Sequence, residues 1–189
     1  VMAFGDELEA FEKYAAVYPE TTTLLIDTFD SLGSGIANAI TVLKKLKAQG
    51  HQFGVRLDSG DIQYLSKEVR KRLDEAGLQE AKIAVSNELD EKIIHQLVAA
   101  DCPIDLWGVG TQLVTGGGDS ALTGVYKLAA KEGPDGHFQP TMKVSDNPEK
   151  STNPGVKQVY RFYDEADMPI ADLIALESEE IVPNREYMF

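Results

Sequence analysis

The sequence predicts an α/β fold, a partial (incomplete) βα barrel followed by a β-rich excursion. Three observations predict it. Apolar, β-branched runs alternate with amphipathic helical patterns through the first 120 residues. Each apolar run ends in charged, hydroxyl-bearing or glycine residues. Beyond that point the helical period gives way to glycine- and proline-turned strand pairs. The expected division is residues 1–120 for the partial barrel and 121–189 for a hairpin-rich extension.

The elements follow in order. Leu8, Phe11, Ala15 and Tyr18 recur at helical spacing, with Asp6 placed to cap and Pro19 to stop a helix over 7–18. "TTTLLIDTFD" is β-branched and apolar, the pattern of a buried strand over 21–30. Ile36, Ile40, Leu43 and Leu46 form the stripe of the next helix, Lys44, Lys45 and Lys47 suit its negative end, and Gly50 closes it. The unit then repeats. "HQFGVRLDSGD" precedes a helix with stripe Ile62, Leu65, Val69 and Leu73, and "AKIAVSNELD" precedes "EKIIHQLVAAD". A fourth strand, "IDLWGVGT", runs into a glycine-rich loop. Strand–helix alternation of this kind means βαβ units and a parallel sheet. Further on, a hairpin turns at Gly133–Pro134–Asp135–Gly136, and "VYRFYDEADMPIADLIAL" reads as another strand pair across Pro169.

Bulk properties narrow the function. A chain of 189 residues, 43% hydrophobic and 26% charged, can bury a real core. A net charge of −13 argues against nucleic acid or an anionic membrane surface as a partner. No apolar run approaches the roughly 20 residues of a membrane span. Cys102 is the single cysteine, so no disulfide forms within the chain, which fits a reducing, cytoplasmic setting. His51, His95 and His137 show no metal-binding spacing.

The strand ends carry the chemistry. They are Asp27, Thr28 and Asp30; Arg56, Asp58, Ser59 and Asp61; Ser86, Asn87 and Glu88; and Gly108, Gly110 and Thr111. In a βα barrel or open parallel sheet, ligands bind at that edge. Carboxylates suit Mg²⁺ or sugar hydroxyls, arginine suits a carboxylate or phosphate, and free N–H groups of a glycine turn suit a phosphate. Each element also has a local reading. Asp58 or Ser59 can cap the following helix, Arg56 and Asp58 can pair across two residues of one face, and Asp90 can cap its own helix.

Together these residues carry a resemblance. "VMAFGDELEAFEKYAAVYPETTTLLIDTFDS", "GVRLDSGD", "SNELDE", "IDLWGVGTQLVT", "GVYKL" and "KSTNPGVKQVYRFYDE" resemble the bacterial form of nicotinate phosphoribosyltransferase in order and spacing. The resemblance implies the incomplete barrel shared with the nicotinamide and quinolinate enzymes. It implies formation of nicotinate mononucleotide and pyrophosphate from nicotinate and phosphoribosyl pyrophosphate (PRPP) in NAD biosynthesis, with Mg²⁺ as cofactor. ATP is the coupling substrate, and the full-length enzyme is expected to be a homodimer. Residue by residue, it sets Arg56 against the nicotinate ring and carboxylate, with Asp58 near the ribose hydroxyls or Mg²⁺. Asp27 and Asp30 would face the pyrophosphate–Mg²⁺ region, and Ser86 and Asn87 the ribose. Gly110 and Thr111 would give N–H groups to the 5′-phosphate. Ser59, Asp61 and Gly108 complete the expected substrate-binding set, and Asp27 and Asp58 are the expected metal ligands.

One departure goes with the resemblance. The family's phosphorylated histidine belongs to a His-Ser-(Trp/Phe)-Val stretch whose last residue would be Val1, and none of the three histidines matches it. The expectation is a fragment that holds much of the PRPP site and lacks ATP coupling alone. A nicotinamide- or quinolinate-using relative, and a non-catalytic binding module whose polar strand ends are caps and pairs, stand as the alternatives.

Overall fold

The computed structural model describes residues 1–86, 88–117, 122, 124, 126–142 and 152–181. They divide into two compact units that meet in sequence near residue 125. The first opens with helix α1 (Glu7–Val17), where the Asp6 carboxylate accepts from the Glu9 N–H at 2.8 Å. Strands β1 (Thr21–Leu25), β2 (Gln52–Leu57), β3 (Lys82–Val85) and β4 (Leu106–Trp107) then form one parallel sheet in the order β1-β2-β3-β4. Helices α2 (Ile36–Ala48), α3 (Ile62–Glu75) and α4 (Glu91–Ala99) fill the crossovers, and a short helix α5 (Thr111–Thr115) follows β4. The α/β class and the parallel sheet agree with the expectation.

Burial alternates along the strands, as the period of two requires. Leu24, Ile26, Phe53, Val55, Leu57, Ile83 and Val85 join Ile36, Ala39, Leu43, Leu46, Val69, Leu73 and Leu97 of the helices in one buried cluster. The alternate strand positions Thr23, Leu25, Arg56 and Ala84 stay outside it, partly or fully exposed. Among the described residues, the crossover helices therefore cover one face of the sheet and leave the other without a crossover helix. The helical stripes hold with one adjustment: Ile40, Ile62 and Leu65 pack at the margin of the core, while Val42 and Ser66 are buried instead.

Several local expectations are corrected. β1 ends at Leu25 rather than near residue 30. A π-helical turn, Ser31–Gly35, leads directly into α2. Gly35 is needed there, since a Cβ would lie 2.0 Å from the Ile26 carbonyl oxygen. The cap of α3 is Asp61, accepting from the Tyr64 N–H at 3.0 Å, rather than Asp58 or Ser59. Lys45 and Lys47 do more than solvate a helix end: they bond Glu12 at 2.6 Å and Glu80 at 2.8 Å. Asp90 caps α4 as expected, accepting from the Ile93 N–H at 2.7 Å. Arg70 bridges the α3–β3 turn, donating to the carbonyls of Leu78 and Ala81, both at 2.7 Å.

Among the described residues, the second unit forms two hairpins. β5 (Ala130–Glu132) and β6 (Phe138–Pro140) pair antiparallel across a turn where Gly133 donates to the His137 carbonyl at 2.8 Å. β7 (Lys157–Tyr163) and β8 (Pro169–Leu176) pair antiparallel, with Val159 opposite Ile174 and Arg161 opposite Asp172. The reversal lies at 164–168, where the Asp164 carboxylate accepts from Ala166 and Met168, both at 2.9 Å. The strand pair expected across Pro169 is present, and Pro169 opens β8, a position a residue without an N–H can occupy.

Candidate functional site

Parallel register decides which residues meet. Leu25 aligns with Arg56, Arg56 with Ala84, and Ala84 with Leu106. The ladder continues past the strands: Ile26 donates to the Arg56 carbonyl at 3.2 Å, Ser86 to Leu57 at 3.0 Å, and Gly108 to Val85 at 2.8 Å. Two residues beyond the Leu25–Arg56–Ala84–Leu106 row, Asp27, Asp58, Ser86 and Gly108 therefore form a second row. Because side chains alternate, both rows belong to the face without a crossover helix, about 6–7 Å apart along the strands.

Hydrogen bonds knit the outer row together. Asp27 Oδ2 accepts from the Asp58 N–H at 2.9 Å and from Ser59 Oγ at 2.7 Å. Asp58 Oδ1 accepts from Ser86 Oγ in a short contact. Three strand ends are thus joined through two carboxylates and two hydroxyls. Next to them lies a cleft of about 270 Å³ lined by Asp58, Ser86, Glu88, Leu89, Gly108, Gly110, Thr111 and Gln112. It has carboxylates at the β2–β3 side and a glycine turn at the β4 side.

Arg56 faces elsewhere. It lines an apolar pocket of about 490 Å³ along the edge strand β1, with Val1, Phe4, Phe11, Tyr14, Tyr18, Leu25 and Thr28 among its neighbours. One guanidinium in an aromatic-walled pocket suits a flat ligand carrying a carboxylate. Arg56 and Asp58, two residues apart on one strand, thus open onto two different cavities.

The remaining expected residues divide by what their side chains do. Asp30 Oδ1 accepts from the N–H groups of Leu32 at 3.1 Å and Gly33 at 2.8 Å, and Asp61 caps α3, so both act locally and neither lines the cleft. Asp27 and Ser59 support Asp58 from outside the cleft. Gly108 cannot offer its N–H to a ligand, because that group bonds Val85 in the sheet. Its place is steric instead: a Cβ there would lie 3.2 Å from the Ser86 Cβ. Among the described residues no carbonyl takes the N–H of Gly110 or Thr111, and a Cβ at Gly110 would meet open space. Asn87 lies outside the described residues. None of His51, His95 and His137 lines the cleft. Sequence reasoning gave no role to Gln112 or Glu88, which do line it. Glu88 already stood among the strand-end polar residues, which was the available signal.

A metal is tested by its donors. Among the described residues no three His, Cys, Asp or Glu side chains gather around one point. Mg²⁺ does not need such a cage, since it takes one or two carboxylates together with substrate phosphates. Asp58 and Asp27 each keep one carboxylate oxygen outside the bonds above, and such hard oxygens fit that ion.

Comparison with known proteins gives a consistent result. The family model described as the nicotinate phosphoribosyltransferase C-terminal domain matches residues 156–189. A nicotinate phosphoribosyltransferase of Bacillus subtilis is 47% identical over 182 residues, 96% of this chain and 37% of that protein. The Mycobacterium tuberculosis nicotinate phosphoribosyltransferase pncB2 is 45% identical over 161 residues, 85% of this chain and 33% of that protein. The crystal structure of the human nicotinic acid phosphoribosyltransferase superposes with a TM-score of 0.50 at 29% identity, covering 93% of this chain and 32% of that one. The chain thus spans about a third of the length of the relatives it matches.

Proposed function

We propose that this chain, which belongs to the nicotinate phosphoribosyltransferase family, carries the phosphoribosyl- and pyridine-binding part of an enzyme making nicotinate mononucleotide and pyrophosphate from nicotinate and PRPP. The observation that carries this reading is the hydrogen-bonded row Asp27–Asp58–Ser86 beside a glycine turn, on the open face of a parallel sheet. The open face also supports reading the sheet as an arc of an incomplete βα barrel, whose interior that face would line.

In this reading the ribose lies across the β2 and β3 ends. Asp58 accepts from ribose hydroxyls, Ser86 holds the Asp58 carboxylate in place, and Asp27 fixes the backbone that carries it. The 5′-phosphate lies toward the N–H groups of Gly110 and Thr111, which no carbonyl takes among the described residues. Arg56 takes the nicotinate carboxylate while the aromatic walls of its pocket take the ring. As the pyridine nitrogen bonds to the anomeric carbon, the bond from that carbon to pyrophosphate breaks and oxocarbenium character develops. Holding both partners in fixed orientation lowers the barrier. Mg²⁺, held by Asp58 and Asp27 with the substrate, would neutralise the charge of the departing pyrophosphate. ATP coupling and a homodimer are proposed for the complete protein on family grounds. Among the described residues no helix is long and apolar enough to cross a membrane.

Calorimetric titration with PRPP and Mg²⁺ tests the site. Binding is expected, weakened at least tenfold in Asp58→Asn. Nicotinate turnover by the complete protein is expected to fall steeply in Arg56→Ala. Absence of PRPP binding by a folded protein would overturn the reading, and preferential use of nicotinamide or quinolinate would reassign the pyridine.

A further inference from the structure

Glu88 stands out from its surroundings on three counts. It follows the end of β3 with a φ of 45°, a left-handed conformation that glycine adopts freely and other residues adopt under strain. It is exposed, so packing does not hold it there. Among the described residues no donor bonds its carboxylate and no cation pairs with it. Neither backbone geometry, burial nor internal bonding therefore accounts for a glutamate at this position. What the position does give is a place in the cleft wall, between Asp58 and Ser86 on one side and Gly108, Gly110 and Thr111 on the other. Strain at a ligand-facing residue is a recurrent feature of binding sites.

We propose that Glu88 is a specificity-determining ligand of the cleft, its carboxylate accepting hydrogen bonds from the hydroxyls of a pentose phosphate; this rests on the phosphoribosyl reading above. Charge orients the ligand. Neighbouring strands lie about 4.8 Å apart, which sets the β2 and β4 ends roughly 10 Å from each other. Two carboxylates, Asp58 and Glu88, stand toward the β2–β3 side, and at the β4 side stand the Thr111 hydroxyl and the N–H groups of Gly110 and Thr111, which no carbonyl takes among the described residues. A phosphate is repelled by the first end and held by the second, so the hydroxyl-bearing part of the ligand faces the carboxylates. Asp58 already gives Oδ1 to Ser86. Vicinal hydroxyls present two donors, and Glu88 adds acceptors to the one carboxylate oxygen that Asp58 keeps outside its own bonds.

The test compares ribose 5-phosphate with inorganic phosphate by calorimetric titration in the presence of a chelator, on the complete protein and on Glu88→Gln and Glu88→Gly. Glu88→Gly relieves the left-handed backbone, so it is expected to melt no lower than the parent, which separates ligand loss from misfolding. The parent is expected to bind ribose 5-phosphate more tightly than phosphate. Both variants should lose roughly tenfold affinity for ribose 5-phosphate, the loss of a charge-assisted hydrogen bond, and keep the parent's affinity for phosphate. Variants that match the parent for ribose 5-phosphate, or that weaken phosphate equally, would overturn the role of Glu88 alone. A parent that binds neither probe would overturn the phosphoribosyl reading and this inference with it.

Discussion

The two units of this chain solve the problem of a β-sheet in opposite ways. In the first, four parallel strands send every second side chain into a shared core with the crossover helices, and Val55, Leu57 and Ile83 are fully buried. In the second, two-stranded hairpins are held by ladders, turns and a surface ion pair. Ala175 is the one buried hydrophobic there among the described residues, while Val159, Ile170 and Ile174 are each more than half exposed. The difference teaches where stability resides. The parallel unit has a closed side that carries the core and an open side with polar strand ends. The described hairpins have no closed side, since a two-stranded ribbon has no interior.

The largest expected effect breaks this contrast if it fails. Leu57→Ala removes a fully buried side chain two strands into the core and should destabilise by about 3 kcal/mol. Ile174→Ala in the hairpin should change stability by about 0.5 kcal/mol, the scale of a cross-strand contact. Chemical denaturation followed by circular dichroism reads both, and equal losses would show that the hairpins share in a core.

Next in size is the row of strand ends. Asp27→Ala leaves the Asp58 N–H and the Ser59 hydroxyl without their acceptor and should destabilise by about 1–2 kcal/mol. If the row positions Asp58, PRPP affinity falls too, although Asp27 does not line the cleft. A stability loss without an affinity loss would reduce Asp27 to a structural latch.

Smaller still is the pin between β3 and β4. Asp105 bonds Lys82 Nζ at 2.8 Å and the Ile83 N–H at 2.9 Å. Burial pushes its carboxyl upward, but the Lys82 ammonium and the Ile83 N–H together bring it below the ordinary aspartate value. A folded pKa lowered in this way means the stabilisation is fully present above the unfolded value of about 3.9 and is lost as pH falls through the folded one. Asp105→Asn should therefore lower stability by about 1 kcal/mol near neutrality. The gap between melting temperatures should hold at neutral pH and close below about pH 4.

The smallest effect belongs to the hairpin. Arg161 binds Asp172 through two contacts, at 2.7 and 2.8 Å, and this pairing holds Asp172 below and Arg161 above their ordinary values. Both side chains are well exposed, so solvent and salt screen the pair. Asp172→Asn is expected to leave the melting temperature unchanged at high salt, and a clear drop there would mean the pair is shielded.

Much of the fold was legible because its signals are local. Helical stripes such as Ile62, Val69 and Leu73, the caps Asp6 and Asp90, and the apolar strands all follow from short-range periods and capping chemistry. The misreadings are also local. Ser59 and Asp61 compete for one cap, and the side chain nearest Ile62 won. Asp27 and Asp30 looked alike in sequence, yet one reaches the neighbouring strand and the other folds back onto its own loop. Glu88 could not be singled out, since a backbone dihedral leaves no mark in composition. Arg70 gave no hint that it would hold the carbonyls of the turn beyond its own helix.

By itself, then, the sequence determined the alternation of strands and helices, the apolar faces, and the polar residues at the strand ends. These depend on spacings of two to four residues along one chain. Which ends stand side by side was decided only by the tertiary structure. Register is set by ladders between residues about thirty apart, such as Leu25 and Arg56, and by which face the helices cover. A shift of one residue would turn Asp58 into the core and Leu57 into the cleft. The parallel register is what brings Asp27, Asp58 and Ser86, each from a different strand, into one hydrogen-bonded row.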